Sequence, residues 1–146
     1  MRVLALKGGG VRCVAQLVML RNLETELGPI RDTFDLFAGT SAGAVIGALI
    51  ALGHSPSDVL ERMTWALKDV FKTRWIPWRS LYRAQPLLRF LERLFSTELA
   101  DGRRPRLGDL EPELLIPLRN ILDGRTVVLS SRESPDEDLL IWLRRA

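Results

Sequence analysis

Phe34-Asp35-Leu36-Phe37-Ala38-Gly39-Thr40-Ser41-Ala42-Gly43 is an apolar run that ends in G-x-S-x-G and leads straight into a second apolar stretch, Ala44 to Leu52. The order reads as strand, tight turn, helix. A serine on such a turn is forced into a strained backbone conformation, and flanking residues of almost no bulk let strand and helix approach each other. Ser41 therefore projects its hydroxyl above a sheet. The free N–H groups and positive dipole end of the helix that begins there favour negative charge at that point. Gly39, Thr40, Ala42 and Gly43 form the elbow around it.

A second glycine cluster lies upstream. Met1 to Leu6 reads as a short buried strand, Lys7-Gly8-Gly9-Gly10 as a loop, and Val11 to Leu27 as a helix. Strand, glycine loop and helix make an anion-binding arrangement, because glycines let several backbone N–H groups converge and Arg12 adds positive charge. The loop could hold a phosphate or nucleotide, yet neither G-x-x-x-x-G-K-[ST] nor a complete G-x-G-x-x-G pattern is present. Beside a nucleophilic serine, the backbone of Gly8, Gly9 and Gly10 with Arg12 reads as an oxyanion hole.

The base that would activate Ser41 is not evident. The single histidine, His54, follows the helix that begins at the serine, and a dozen residues at about 1.5 Å each place it about 18 Å away. His54 reads as a helix C-terminal residue meeting free carbonyls, which leaves no histidine for a Ser-His-Asp triad and points to a carboxylate acting directly on the serine.

Leu6-Lys7-Gly8-Gly9-Gly10-Val11-Arg12 followed by Gly39-Thr40-Ser41-Ala42-Gly43 resembles the patatin-like phospholipase family. The match is specific over residues 1 to about 63 and faint afterwards. The resemblance implies that Ser41 is the nucleophile of a Ser-Asp dyad, that the G-G-G-x-R loop forms the oxyanion hole, and that the substrate is a phospholipid or other lipid ester, with no cofactor and no metal. Lys7 and Cys13 depart from the usual loop pattern without touching the chemistry. The family's aspartate stands in a downstream D-G-G or D-G-A. Here the D-G pairs are Asp101-Gly102, in a charged loop, and Asp123-Gly124, which has the composition of a hairpin turn or short connection. Residues 1–146 thus read as the N-terminal portion of a patatin-like domain, with the dyad aspartate outside the chain. A catalytically incomplete fragment or a lipid-binding, regulatory module is the competing reading.

The expected fold is α/β: a mainly parallel sheet flanked by helices, incomplete at its C-terminal end, with strands near 2–6, 34–38, 114–118 and 126–130. Its open sheet edge could pair with another chain, so a homo-oligomer is possible. A helix from about Ser57 to Lys72, with Ser57 as N-cap, precedes a belt of Trp75, Trp78 and Tyr82 among arginines, and Pro86 opens a further helix to Phe95. The belt reads first as a cap over the core and second as a peripheral contact with anionic lipid headgroups. A polar connector from Ser131 to Asp138 leads to a terminal helix, Leu139 to Arg145, capped by its acids.

Composition excludes several classes. With 146 residues and 47% hydrophobic content the chain can bury a sizeable core, and no run of ~18 apolar residues marks a transmembrane helix. Lys plus Arg 21 against Asp plus Glu 18 gives +3, with arginines scattered rather than gathered in a stripe, which argues against nucleic acid; Arg103-Arg104-Pro105-Arg106 reads as a solvated loop. One His and one Cys cannot build a zinc site. A lone Cys13 forms no internal disulfide and fits a reducing cytoplasm as a small buried helix residue.

Overall fold

The computed structural model describes residues 1–72, 84–99, 102–120 and 122–146. The aromatic and arginine belt around Trp75, Trp78 and Tyr82 and the carboxylate of Asp101 lie outside them.

Four strands, β1 (Val3–Leu6), β2 (Leu36–Gly39), β3 (Glu113–Arg119) and β4 (Thr126–Ser130), form one sheet in the order β1-β2-β3-β4. β1, β2 and β3 run parallel, with Leu6 beside Gly39 and Ala38 beside Leu115, and β4 closes the sheet as an antiparallel hairpin on β3. The mainly parallel α/β architecture expected from the sequence is the one observed.

Helix α1 (Cys13–Leu27) follows a 3₁₀ turn at Gly10–Arg12, so the helix expected from Val11 starts two residues later. It buries Cys13, Leu17 and Leu20, which recur at helical spacing. A short α2 (Ile30–Thr33) returns the chain to β2. Helix α3 (Ala42–Ala51) is buried from Gly43 to Ala51. Its sequence, AGAVIGALIA, is apolar on every side because the helix lies between the sheet and the neighbouring helices. Gly47 lets it sit on the sheet, since a Cβ there would stand 3.0 Å from Leu114 Cδ1.

Helix α4 (Pro56–Lys72) is capped by Ser55, not Ser57. Ser55 Oγ accepts from Asp58 N at 3.1 Å, and Asp58 Oδ2 accepts from Ser55 N at 3.2 Å, a reciprocal box that leaves Pro56 at the first helical position, where its missing N–H costs nothing. Helix α5 (Ala84–Leu94), two residues ahead of the expected Pro86 start, precedes α6 (Ser96–Leu99).

In the Arg103–Arg106 segment the three arginines are exposed, as a solvated loop would have them, but Pro105 is buried and the arginines make the segment an ion-paired strap. Arg103 meets Asp109, Arg104 Nη1 lies 3.2 Å from Asp138 Oδ2, and Arg106 Nη1 lies 3.1 Å from Asp136 Oδ1. Backbone bonds from Leu107 N to Glu137 O and from Leu139 N to Pro105 O join the strap to the connector before α7 (Leu139–Arg145). Asp138 caps α7, accepting from Leu140 N at 2.9 Å and Ile141 N at 3.2 Å.

Candidate active site

Ser41 has φ 50° and ψ −125°, and among the described residues no other non-glycine residue has a positive φ. That conformation costs about 1–3 kcal/mol and persists only where surrounding structure dictates it. Here both flanking glycines do so. A Cβ on Gly39 would lie 2.6 Å from Gly43 O and 2.7 Å from Ala44 N, inside the first turn of α3. A Cβ on Gly43 would overlap the Leu6 carbonyl at the end of β1. The first glycine thus lets β2 turn into α3, and the second lets α3 rest on β1. Between them the turn is held by Gly43 N donating to Thr40 O at 2.8 Å and Ala44 N to Ser41 O at 2.9 Å. Ser41 is exposed, at the N-terminus of a buried helix.

The glycine loop lies against this turn. Gly8 N donates to Thr40 Oγ1 at 3.0 Å, and a Cβ built on Gly8 would stand 3.1 Å from Ser41 Cβ. The amides of Gly9 and Gly10 donate to no acceptor among the described residues. Gly10 has φ 55°, a conformation that glycine adopts without strain. Arg12, in the 3₁₀ turn after the loop, is exposed. The two motifs that the sequence separates by some thirty residues therefore meet at one place.

Two side chains organise the site, one on a residue read as part of the elbow and one that sequence reasoning missed. Thr40, expected only to help form the elbow, ties loop to turn with its hydroxyl. Gln16, on the first turns of α1, grips both backbone groups of Lys7: Lys7 N donates to Gln16 Oε1 at 3.0 Å, and Gln16 Nε2 donates to Lys7 O at 2.7 Å. A polar residue on the helix that follows a glycine loop was the available signal for it.

His54 does not serve α3 with its imidazole. Its backbone N–H donates to Leu49 O at 3.1 Å, while Nε2 pairs with Glu98, which also receives Arg62 Nη1 at 3.1 Å. The ring is thus at the far end of α3 from Ser41, where it ties the α3–α4 connection to α6 while Arg62 ties α4 to the same carboxylate. The Asp123 carboxylate accepts from Arg125 N at 2.9 Å within the six-residue connection of the β3–β4 hairpin, as its composition indicated. Cys13 is fully buried, and desolvation pushes its thiol up. No group of metal-ligating side chains occurs among the described residues. A cleft of about 790 Å³ opens at the opposite end of the sheet, where Arg31 lies 3.8 Å from Glu111 and Arg132 3.6 Å from Glu113.

The chain belongs to the patatin-like phospholipase family, which matches it over residues 4–146. It is 28% identical over 150 residues to a cGAMP-activated phospholipase of Escherichia coli, a match that covers 92% of this chain and 40% of that protein. It is 34% identical over 141 residues to a cGAMP-activated phospholipase of Pseudomonas aeruginosa, covering 94% and 41%. A 72-residue stretch is 42% identical to the calcium-independent phospholipase A2-gamma of Rattus norvegicus, covering 48% and 9%. The chain therefore spans less than half the length of these relatives. A chain in the crystal structure of full-length SpcU in complex with full-length ExoU, from the type III secretion system of Pseudomonas aeruginosa, shares the fold. Its TM-score is 0.62 at 18% identity, with 99% of this chain and 37% of that one covered. Among the described residues no helix is long and apolar enough to cross a membrane.

Proposed function

We propose that this chain carries the nucleophile and oxyanion hole of a serine lipid acyl hydrolase of the phospholipase A or lysophospholipase type. The observation that carries the reading is the strained, exposed Ser41 with Gly8 packed against its Cβ. Ser41 Oγ attacks the ester carbonyl of a phospholipid or related lipid and forms a tetrahedral intermediate, whose oxyanion takes hydrogen bonds from the Gly9 and Gly10 amides. Such donors contribute about 3–4 kcal/mol to acyl transfer when prepositioned. Arg12 and the start of α3 add positive potential.

The family resemblance assigns the base to an aspartate outside these residues. It takes the serine proton, returns it to the departing alcohol, and then deprotonates the water that cleaves the acyl-serine. We assign that role to no part of the β3–β4 hairpin, where Asp123 Oδ1 accepts from Arg125 N.

A fluorophosphonate probe tests the proposal. The wild-type protein, assayed together with the segment that supplies the aspartate, should be labelled and Ser41→Ala should not. If neither is labelled, the serine is not activated and the lipid-binding reading replaces this one. Asp123→Asn should keep full labelling and hydrolysis.

A further inference from the structure

β3 is longer than the part of it that the sheet uses. It pairs with β2 only from Glu113 to Leu115, then continues to Arg119 with β4 alone beside it. Because β2 and β3 are parallel, β3 leaves the sheet in the direction in which β2 leads to Ser41. Four residues at about 3.3 Å each carry the hairpin about 13 Å past the last shared pair, at the end of the sheet where the serine stands.

The base of this ribbon is covered, with Ile116 and Leu129 buried and Leu118 packed partly against the core, but its β4 side and its tip are exposed and apolar. Val127 and Val128, adjacent in β4, point to opposite faces, and each is 53% exposed. Leu122 in the connection is 92% exposed. Arg119 and Arg125 flank it and are exposed, and a Cβ on Gly124 would stand 3.7 Å from Arg119 Nη2, which brings that guanidinium over the turn. The one acid of the connection, Asp123, is engaged by Arg125 N.

We propose that the β3–β4 hairpin is a lipid-surface docking element: Leu122, Val127 and Val128 enter the interfacial layer of a bilayer, and Arg119 and Arg125 meet anionic phosphates. The occupant is argued from charge and shape: an apolar tip between two guanidiniums complements acyl chains beneath a layer of phosphate. The proposal rests on reading Ser41 as acting on lipid esters, since docking there presents the bilayer to the serine's end of the sheet.

The test is co-sedimentation with vesicles of mixed phosphatidylcholine and phosphatidylglycerol, alongside fluorophosphonate labelling and hydrolysis of a water-soluble ester. The wild type should pellet with vesicles. Leu122→Asp should partition roughly ten-fold more weakly, and the Arg119→Glu, Arg125→Glu double variant should also bind weakly and lose the salt dependence of the wild type. Both should keep the wild-type unfolding midpoint and soluble-ester activity. Wild-type protein that stays in the supernatant, or Leu122→Asp that pellets like wild type, overturns the docking element. So does a Leu122→Asp effect confined to self-association in analytical ultracentrifugation, which would make the occupant a second copy. Docking without Ser41 labelling supports the hairpin and sinks the hydrolase reading, so the two fail separately.

Discussion

Gly8 N donates to Thr40 Oγ1 over 3.0 Å, and this bond joins the glycine loop after β1 to the turn that mounts Ser41. Loop and turn belong to separate strand-to-helix units, and the hydroxyl beside the serine sets their mutual register.

Thr40→Val keeps the shape of the side chain and removes the acceptor. A lost neutral hydrogen bond costs about 1 kcal/mol of stability. The effect on Ser41 reactivity should be larger than that, since misplacing the proposed oxyanion donors would weaken the transition state: fluorophosphonate labelling is expected to slow roughly ten-fold or more. Stopped-time labelling beside a thermal melt separates the two effects.

Gln16→Leu should act on the same loop from behind. It frees both backbone groups of Lys7 without touching Ser41. Labelling should slow while the melting temperature falls by no more than a two-bond loss, about 2 kcal/mol, would give. Unchanged labelling kinetics would show that Gln16 does not position the loop.

The glycines should respond unequally to alanine. Gly43→Ala drives a methyl into the Leu6 backbone, and because neither β1 nor the buried α3 can yield, a loss of about 3 kcal/mol or more is expected. Gly10→Ala meets nothing within 4 Å and costs only the positive φ, about 1 kcal/mol. Chemical denaturation of the two variants reads the ordering directly.

The Glu98 cluster should make stability acid-sensitive. Desolvation raises its carboxyl, but the His54 hydrogen bond, its own backbone bond and the Arg62 guanidinium outweigh it and leave the group below its ordinary value of 4.5. A depressed folded pKa means that the stabilisation is present above 4.5 and is lost as pH falls through the lower folded value. Glu98→Gln should therefore be less stable than wild type at pH 7, by about 2 kcal/mol, and the difference should shrink in acid. Unfolding midpoints across that range give the answer.

Much of this architecture was legible because local chemistry and global fold agree. The strand, glycine turn and helix around Ser41 announce themselves by composition, and Leu17 and Leu20 mark α1 by period. The hairpin around Asp123-Gly124 follows from its turn residues. Where the reading slipped, a neighbour in space decided the matter. Ser55 caps α4 rather than Ser57 because Asp58 reaches back to it, and the His54 ring turns to Glu98, forty-four residues away, rather than to the carbonyls at the end of its own helix.

By itself the sequence determined the main elements, the mainly parallel α/β layout and the glycine-flanked turn that mounts Ser41, since periodicity, turn chemistry and the steric demand for glycine are all local. Only the tertiary structure decided that the Gly8 loop meets the Ser41 turn, that Thr40 and Gln16 hold it there, and that β3 outruns β2 to carry a hairpin with an exposed apolar tip to the same end of the sheet. Those are relations of register and approach between distant segments, set by how strands align and how closely backbones can pass.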